Sequence, residues 1–189
     1  MQSKVIKNLI SQFKNSYGEF KSTRMITTCA MFAALGVIIG SFTISFGNYM
    51  KIGFSSIANQ CVYALYGPVV GFAFGGMLDI LKYIIKPTGP FFFGFTFNAM
   101  LAGAIYGVSF YKKTLTFKRI LITELIVAIT VNIVLNTLWI SVLYGKGFIA
   151  LLPMRVIKNL IQWPFNAFVF FMVSKMVLAI KGIRGASLH

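Results

Sequence analysis

The sequence predicts an all-α integral membrane bundle of six transmembrane helices with both termini in the cytoplasm. Three observations lead there. Of 189 residues 58% are hydrophobic and only 11% are charged, where a soluble domain carries about 25% charged residues. The apolar residues come in runs of about 20, the length that crosses roughly 30 Å of hydrocarbon at 1.5 Å per residue. The basic residues gather at the ends of those runs, as anchors and cytoplasmic loop charges do.

Taken in order, residues 1–24 carry Lys4, Lys7, Lys14, Lys21 and Arg24 without a cleavable apolar core. They read as a basic, amphipathic cytoplasmic segment and not as a signal peptide. Residues 25–181 form the six-helix membrane domain, and 182–189 a C-terminal tail. Met25 to Phe46, Phe91 to Tyr111, Ile120 to Tyr144 and about Val156 to Leu178 are each one span, the last following Pro153. Phe54 to Ile85 is too long for one span and short for two. Gly67-Pro68 near its middle favours a turn, because proline cannot continue a helix and glycine accepts unusual backbone angles. Six spans put 12 basic residues inside and 6 outside, whereas five spans give 10 against 8. The positive-inside rule therefore selects six.

Composition also excludes functions. A net charge of +15 invites a nucleic-acid reading, but the positives form no stripe with exposed aromatics. The single histidine is His189, the last residue, which leaves no His-based catalysis, haem or zinc site. No Gly-x-x-x-x-Gly-Lys-Ser/Thr phosphate loop and no Ser-His or Cys-His constellation occurs. The expectation is a protein that is not an enzyme, holds no metal and needs no cofactor. Cys29 and Cys61 lie in apolar stretches and read as buried thiols.

The remaining polar residues converge. Arg155, Lys158, Asn159 and Gln162 fall at offsets of three, four and seven, one face of the last helix. A buried arginine there costs roughly 2.5 to 3.5 kcal/mol on insertion scales. Asn132, Asn136 and Trp139 share a face of the preceding helix, and Phe91, Phe95 and Asn98 share one of the fourth, with Thr96 alongside. Aromatic faces with amides suit a flat heteroaromatic ring, and a cationic rim suits attached carboxylates or phosphates. Each asparagine taken alone reads equally as interhelical glue, and each outer lysine (Lys51, Lys82, Lys86, Lys146) as a snorkelling side chain. Asp79 stands three residues before Lys82 and is open to an ion pair there or to a ligand contact. Glu124 follows the basic loop and is expected to pair with Arg119 or Lys118. Ala30 and Ala34 give the first helix small residues at a spacing of four, which lets another helix approach closely, inside this bundle or on a partner.

Several segments resemble the substrate-binding membrane subunits of energy-coupling factor vitamin transporters, the folate-specific subunit in particular. The likeness covers about Thr23 to Lys181. It rests on Ala30-x-x-x-Ala34, on Tyr66-Gly67-Pro68-Val69-Val70-Gly71 followed by Gly76-x-x-Asp79-Ile80, and on Pro87-Thr88-Gly89-Pro90-Phe91-Phe92-Phe93-Gly94-Phe95-Thr96. Asn136-Thr137-Leu138-Trp139 and Leu151-Leu152-Pro153-Met154-Arg155-x-x-Lys158-Asn159 complete it. The alanine strip is shared widely in the group, and the other motifs point to the folate member. The resemblance departs mainly in aromatic residues replacing others, as in Phe91-Phe92-Phe93.

This resemblance implies capture of folate from outside a bacterial cell, with Ala30 and Ala34 docking on a transmembrane coupling subunit. Two ATPase subunits drive release inside as the binding subunit tips over in the bilayer. It implies that Arg155 and Lys158 meet the glutamate carboxylates or the pterin carbonyl, and that Asn98, Asn136 and Trp139 hold and stack the aromatic part. The loop Thr88 to Phe93, with Gly89 and Phe91, caps the pocket. Asn159, Asp79, Lys82 and Phe95 complete the expected contacts. The competing readings are the same architecture for another vitamin, and a small channel or scaffold whose amides hold helices together.

Overall fold

The computed structural model describes the backbone of residues 2–41, 44–46, 50–52, 55–87, 89–145 and 147–186, and the side-chain surroundings of 6–40, 55–87, 89–145 and 147–175. The described chain is all but entirely helical: α1 (Gln2–Glu19), α2 (Thr23–Ser41), α3 (Ser55–Ile85), α4 (Phe93–Phe110), α5 (Phe117–Val127), a π segment (Ala128–Leu135), α6 (Asn136–Tyr144) and α7 (Phe148–Ala186). Between α2 and α3 lies a short antiparallel hairpin of β1 (Ile44–Phe46) and β2 (Met50–Ile52), pairing Ser45 with Lys51. The first span was expected to run as far as Phe46, and here it ends at Ser41. Thr43-Ile44-Ser45-Phe46 alternates polar and apolar at period two, a pattern that suits a strand better than a helix.

Among the described residues five helical stretches are long and apolar enough to cross a membrane. The second of them, α3, is two arms. Gly67 has φ 86° and ψ −169°, a backbone conformation that residues with a side chain rarely adopt. The chain reverses there. Lys82 Nζ donates to Ser55 Oγ at 3.0 Å, the rings of Tyr63 and Phe74 lie 6.2 Å apart, and Asn59 and Leu78 both border Gly36. Residues 55–66 and 68–85 therefore run antiparallel, as the Gly67-Pro68 turn predicts.

A break within a membrane bundle leaves backbone groups without helical partners, and those groups must be satisfied internally. Ser16 of α1 does this. Its hydroxyl donates to the Tyr66 carbonyl at 2.6 Å and accepts from the N–H groups of Val69 at 3.0 Å and Val70 at 3.2 Å. That uses the one donor and both acceptor sites of a serine hydroxyl, and Ser16 is fully buried.

The second arm of α3 packs backbone to backbone on α4. A side chain built at Gly71 would stand 2.6 Å from the Gly103 carbonyl oxygen, so both positions require glycine. An aromatic column then links α3, α4 and α7. Tyr63 stacks on Tyr106 at 6.0 Å, and Phe110 on Phe170 at 5.2 Å. Cys29 and Cys61 are buried free thiols. At the same end as the Gly67 break, Tyr111 donates to Glu19 Oε1 at 3.4 Å. Burial first, and then the Glu19 carboxylate, raise the Tyr111 pKa above its ordinary value, which keeps the donating proton in place.

The last helix begins at Phe148, ahead of Pro153 and not after it. Pro153 is the sixth residue of this helix, so its ring has no N–H to offer the Ile149 carbonyl one turn earlier and costs the helix one bond there.

Candidate functional site

The four-residue polar face expected on the last helix exists as a continuous stripe of α7 and borders a cavity of about 360 Å³. Arg155, Lys158, Asn159 and Gln162 all line it, and Trp163 and Asn166 continue the stripe one turn further. Asn159 is tied to its own helix, its amide donating to the Arg155 carbonyl at 2.8 Å. That bond fixes the Asn159 side chain against its own helix, beside the arginine.

The opposite wall is built by α5, the π segment and α6. Glu124, Ala128, Asn132 and Asn136 line the cavity at a strict spacing of four. In an α-helix of 3.6 residues per turn each step of four overshoots by about 40°, so such a series would wind out of the site within three steps. The π segment closes i→i+5 bonds and is wider, so its steps of four undershoot. Alternating the two keeps Glu124, Asn132 and Asn136 on one line. Residue pattern gives no signal for this widening, which the sequence reading misses.

Two further walls come from α3, through Ser55 and Ser56, and from α4, through Ala102 and Tyr106. The hollow is thus enclosed by four helical units and not by the last three alone. Ser56 Oγ and Asn166 Oδ1 are buried at its edge without a hydrogen-bond partner among the described residues. Buried polar atoms are rarely left so.

Glu124 corrects an expectation. It turns inward, away from Arg119 and Lys118, and is buried. Gln60 Nε2 donates to its Oε1 at 2.6 Å and Tyr106 Oη to its Oε2 at 2.9 Å. Arg119 instead donates to the Thr114 carbonyl at 2.8 Å. Proximity in sequence suggested the basic partners; the face that α5 presents to α3 and α4 decides otherwise. Gln60 and Tyr106 carry no spacing signal that marks them in advance.

The other expected contacts lie around the cavity and do not line it. Trp139 donates through Nε1 to Asn98 Oδ1 at 3.0 Å, and the Phe92 ring packs on Trp139 at 5.6 Å and on Phe95 at 5.9 Å. Asp79 accepts from Thr96 Oγ1 at 2.9 Å. Lys82 reaches the site through Ser55, which it hydrogen-bonds and which is a lining residue. Phe91 is exposed and packs edge-on to Tyr83 at 5.1 Å. Gly89, at φ 135°, is exposed in the turn before α4. Thr88 lies outside the described residues. Ala30 and Ala34 are exposed on the outer side of α2, whereas Cys29, Ala33 and Gly36 face the bundle.

The chain is similar to "Folate transporter FolT" of Clostridium novyi (strain NT), 32% identical over 157 residues that cover 83% of this chain and 91% of the relative. It is similar also to "Folate transporter FolT" of Leuconostoc mesenteroides, 29% identical over 164 residues, covering 83% and 88% respectively. Among solved structures it resembles FolT bound with folic acid, with a TM-score of 0.75, 30% identity and coverage of 82% of this chain and 95% of the other. Residues 24–174 match the family described as "ECF transporter, substrate-specific component", and with most of its length inside that match the chain belongs to this family of multi-pass bacterial membrane proteins.

Proposed function

We propose that this chain binds folate from outside the cell and delivers it across the membrane as the substrate-specific component of an ATP-driven energy-coupling factor transporter. The observation that carries this is the siting of Arg155 and Lys158 together on the cavity face of α7, in a fold whose solved relative holds folic acid. Two desolvated cations beside amides and aromatic walls match a ligand with carboxylates at one end and a flat ring at the other.

In this reading the two arms of α3 count as separate spans, which makes six. Both termini lie in the cytoplasm, with 1–24 as the cytoplasmic segment, 25–181 as the binding domain and 182–189 as the tail. The contact of Tyr111 with Glu19 supports the orientation, since it brings the basic N-terminal segment to the same end as Lys112 and Lys113. Asn98, Trp139, Phe95, Asp79 and Lys82 support the outer half of the site, and Gly89 and Phe91 belong to its cap together with Thr88.

Without a phosphate loop of its own the chain depends on partners for energy. These are a transmembrane coupling subunit, for which the exposed strip Ala30 and Ala34 is the dock, and two ATPase subunits. The test is titration of the purified chain with folate, followed by tryptophan fluorescence and calorimetry. Tight binding without any partner is expected, and Arg155→Ala is expected to weaken it about 100-fold or more, the loss of charge-assisted bonds in a desolvated site. Absence of a heat or fluorescence change with the native protein would reject the reading.

A further inference from the structure

The helix α1 precedes the stretch that matches the family, which begins at residue 24, and among the described residues none of α1 lines the cavity. Its 18 residues are not apolar enough to cross a membrane. Yet four large apolar side chains stand exposed along it, Ile6, Ile10, Phe13 and Tyr17, with Ile10 at 62% and Tyr17 at 67% of their full exposure. They follow one another at offsets of four, three and four, the spacing of one helix face.

At about 100° per residue, α1 divides into four sides. Leu9, Gln12 and Ser16, partly or wholly buried, turn to the bundle, where Ser16 holds the reversal at Gly67. Next around the helix comes the apolar row, within an arc of about 60°. Lys7 and Lys14 border its far edge, and the exposed Asn8, Ser11 and Asn15 complete the circle. Glu19, the one acid of α1, lies on the bundle side and accepts from Tyr111, which leaves the outer flank wholly positive. Protein, apolar, basic and polar sides in that order are what a helix presents when it lies flat on a bilayer against a bundle. Protein is then to one side, hydrocarbon below, headgroups at the far edge and water above.

We infer that α1 is a binding surface for acidic phospholipid. Its apolar row enters the edge of the acyl region, and Lys7 and Lys14 take the phosphates of anionic headgroups. A bilayer already surrounds the bundle to which Ser16 and Glu19 fasten this helix, whereas another protein would have to displace it. The positive flank selects acidic over zwitterionic lipid, and each lysine held at such a surface enriches it about fivefold. Lipid held this way also fixes the level at which the Gly67 reversal and the end of α4 sit in the leaflet. Folate plays no part in this; only the cytoplasmic side of α1 is taken from the proposed topology, which makes the leaflet the inner one.

The experiment places an environment-sensitive fluorophore on Ile10→Cys or on Asn15→Cys in the full chain, reconstituted in vesicles of phosphatidylcholine and phosphatidylglycerol. Both positions are exposed, so the fold accepts the labels, as a melting curve verifies. Cys29 and Cys61 are buried, which makes the native chain the labelling blank. A nitroxide-bearing lipid of either headgroup, present in both leaflets, serves as quencher, so the result does not turn on the side that α1 faces. The Ile10 label is expected to be quenched about threefold more than the Asn15 label. Phosphatidylglycerol is expected to quench it at least about twofold more strongly than phosphatidylcholine. Lys7→Gln combined with Lys14→Gln is expected to abolish that headgroup preference while the Ile10 label stays in lipid. Equal quenching at the two positions would overturn the inference, as would equal action of the two headgroups or a preference that survives the double substitution. A blue-shifted Ile10 label that neither lipid quenches would overturn it too, in favour of a second copy or another protein on this face.

Discussion

The indole N–H of Trp139 donates to the side-chain oxygen of Asn98 at 3.0 Å, joining α6 to α4 at a point where Asn98 is buried. Two residues that the resemblance assigns to the ligand are thereby occupied with each other. Removing the donor orphans a buried amide oxygen, which costs about 1–3 kcal/mol. Trp139→Phe is therefore expected to lower thermal stability in detergent measurably while changing folate affinity far less than Arg155→Ala does. Parallel melting curves and titrations check this, and an affinity loss equal to that of Arg155→Ala would return Trp139 to the binding surface.

Ser16 carries a second prediction. Its hydroxyl closes three backbone groups exposed by the reversal at Gly67, and alanine closes none. Ser16→Ala is expected to destabilise by about 2 kcal/mol or more, because each unsatisfied buried group costs on the order of 1–3 kcal/mol and water can reach some of them after relaxation. Ser16→Thr keeps the hydroxyl and is expected to lose less. Equal stability of the serine and alanine proteins in a detergent melt would mean that α1 is not a structural part of the bundle.

Much of this architecture is legible in the sequence because the bilayer writes it there. Apolar length marks the helices, lysine and arginine mark one side, and Gly67-Pro68 marks the reversal that cuts 55–85 into two arms. The stripe from Arg155 to Gln162 is legible for the same reason, since an ionisable residue in an apolar run must face something polar. What escapes is whatever depends on which helix lies opposite. Glu124 looks like a loop-end ion pair until α3 brings Gln60 against it. Ser16 sits in an ordinary polar stretch until the Tyr66 carbonyl is found above it. The π segment has no compositional mark at all, yet it keeps Glu124 in line with Asn132 and Asn136 on one wall.

Arg155 offers a sharper test than simple deletion. A guanidinium is a planar fork that meets a carboxylate through two parallel bonds, whereas an ammonium is a compact, strongly hydrated point charge. Arg155→Lys keeps the charge facing the cavity and loses the fork. It is expected to weaken folate about 10-fold, against 100-fold or more for alanine. Lysine binding as tightly as arginine would indicate that charge alone is felt there, as from the rim of a solvated mouth.

Gly71 and Gly103 bring α3 and α4 into backbone contact, and the exposed Ala30 and Ala34 offer the same small-residue surface on α2 with the bundle on the other side. Small residues at a spacing of four let a second helix approach closely, and bulk at that surface holds it off. Ala34→Leu leaves the cavity untouched, since among the described residues none of α2 lines it. Folate titration of the purified variant is therefore expected to match that of the native chain within about twofold. Uptake of labelled folate by cells or vesicles holding the coupling and ATPase subunits is expected to fall about 10-fold or more, because the variant loads but does not dock. Gly71→Leu gives the contrasting result, a loss of folded protein and of binding together, since its side chain has the Gly103 carbonyl to displace. If Ala34→Leu transports normally, the strip is lipid-facing and the coupling subunit docks on another face of the bundle.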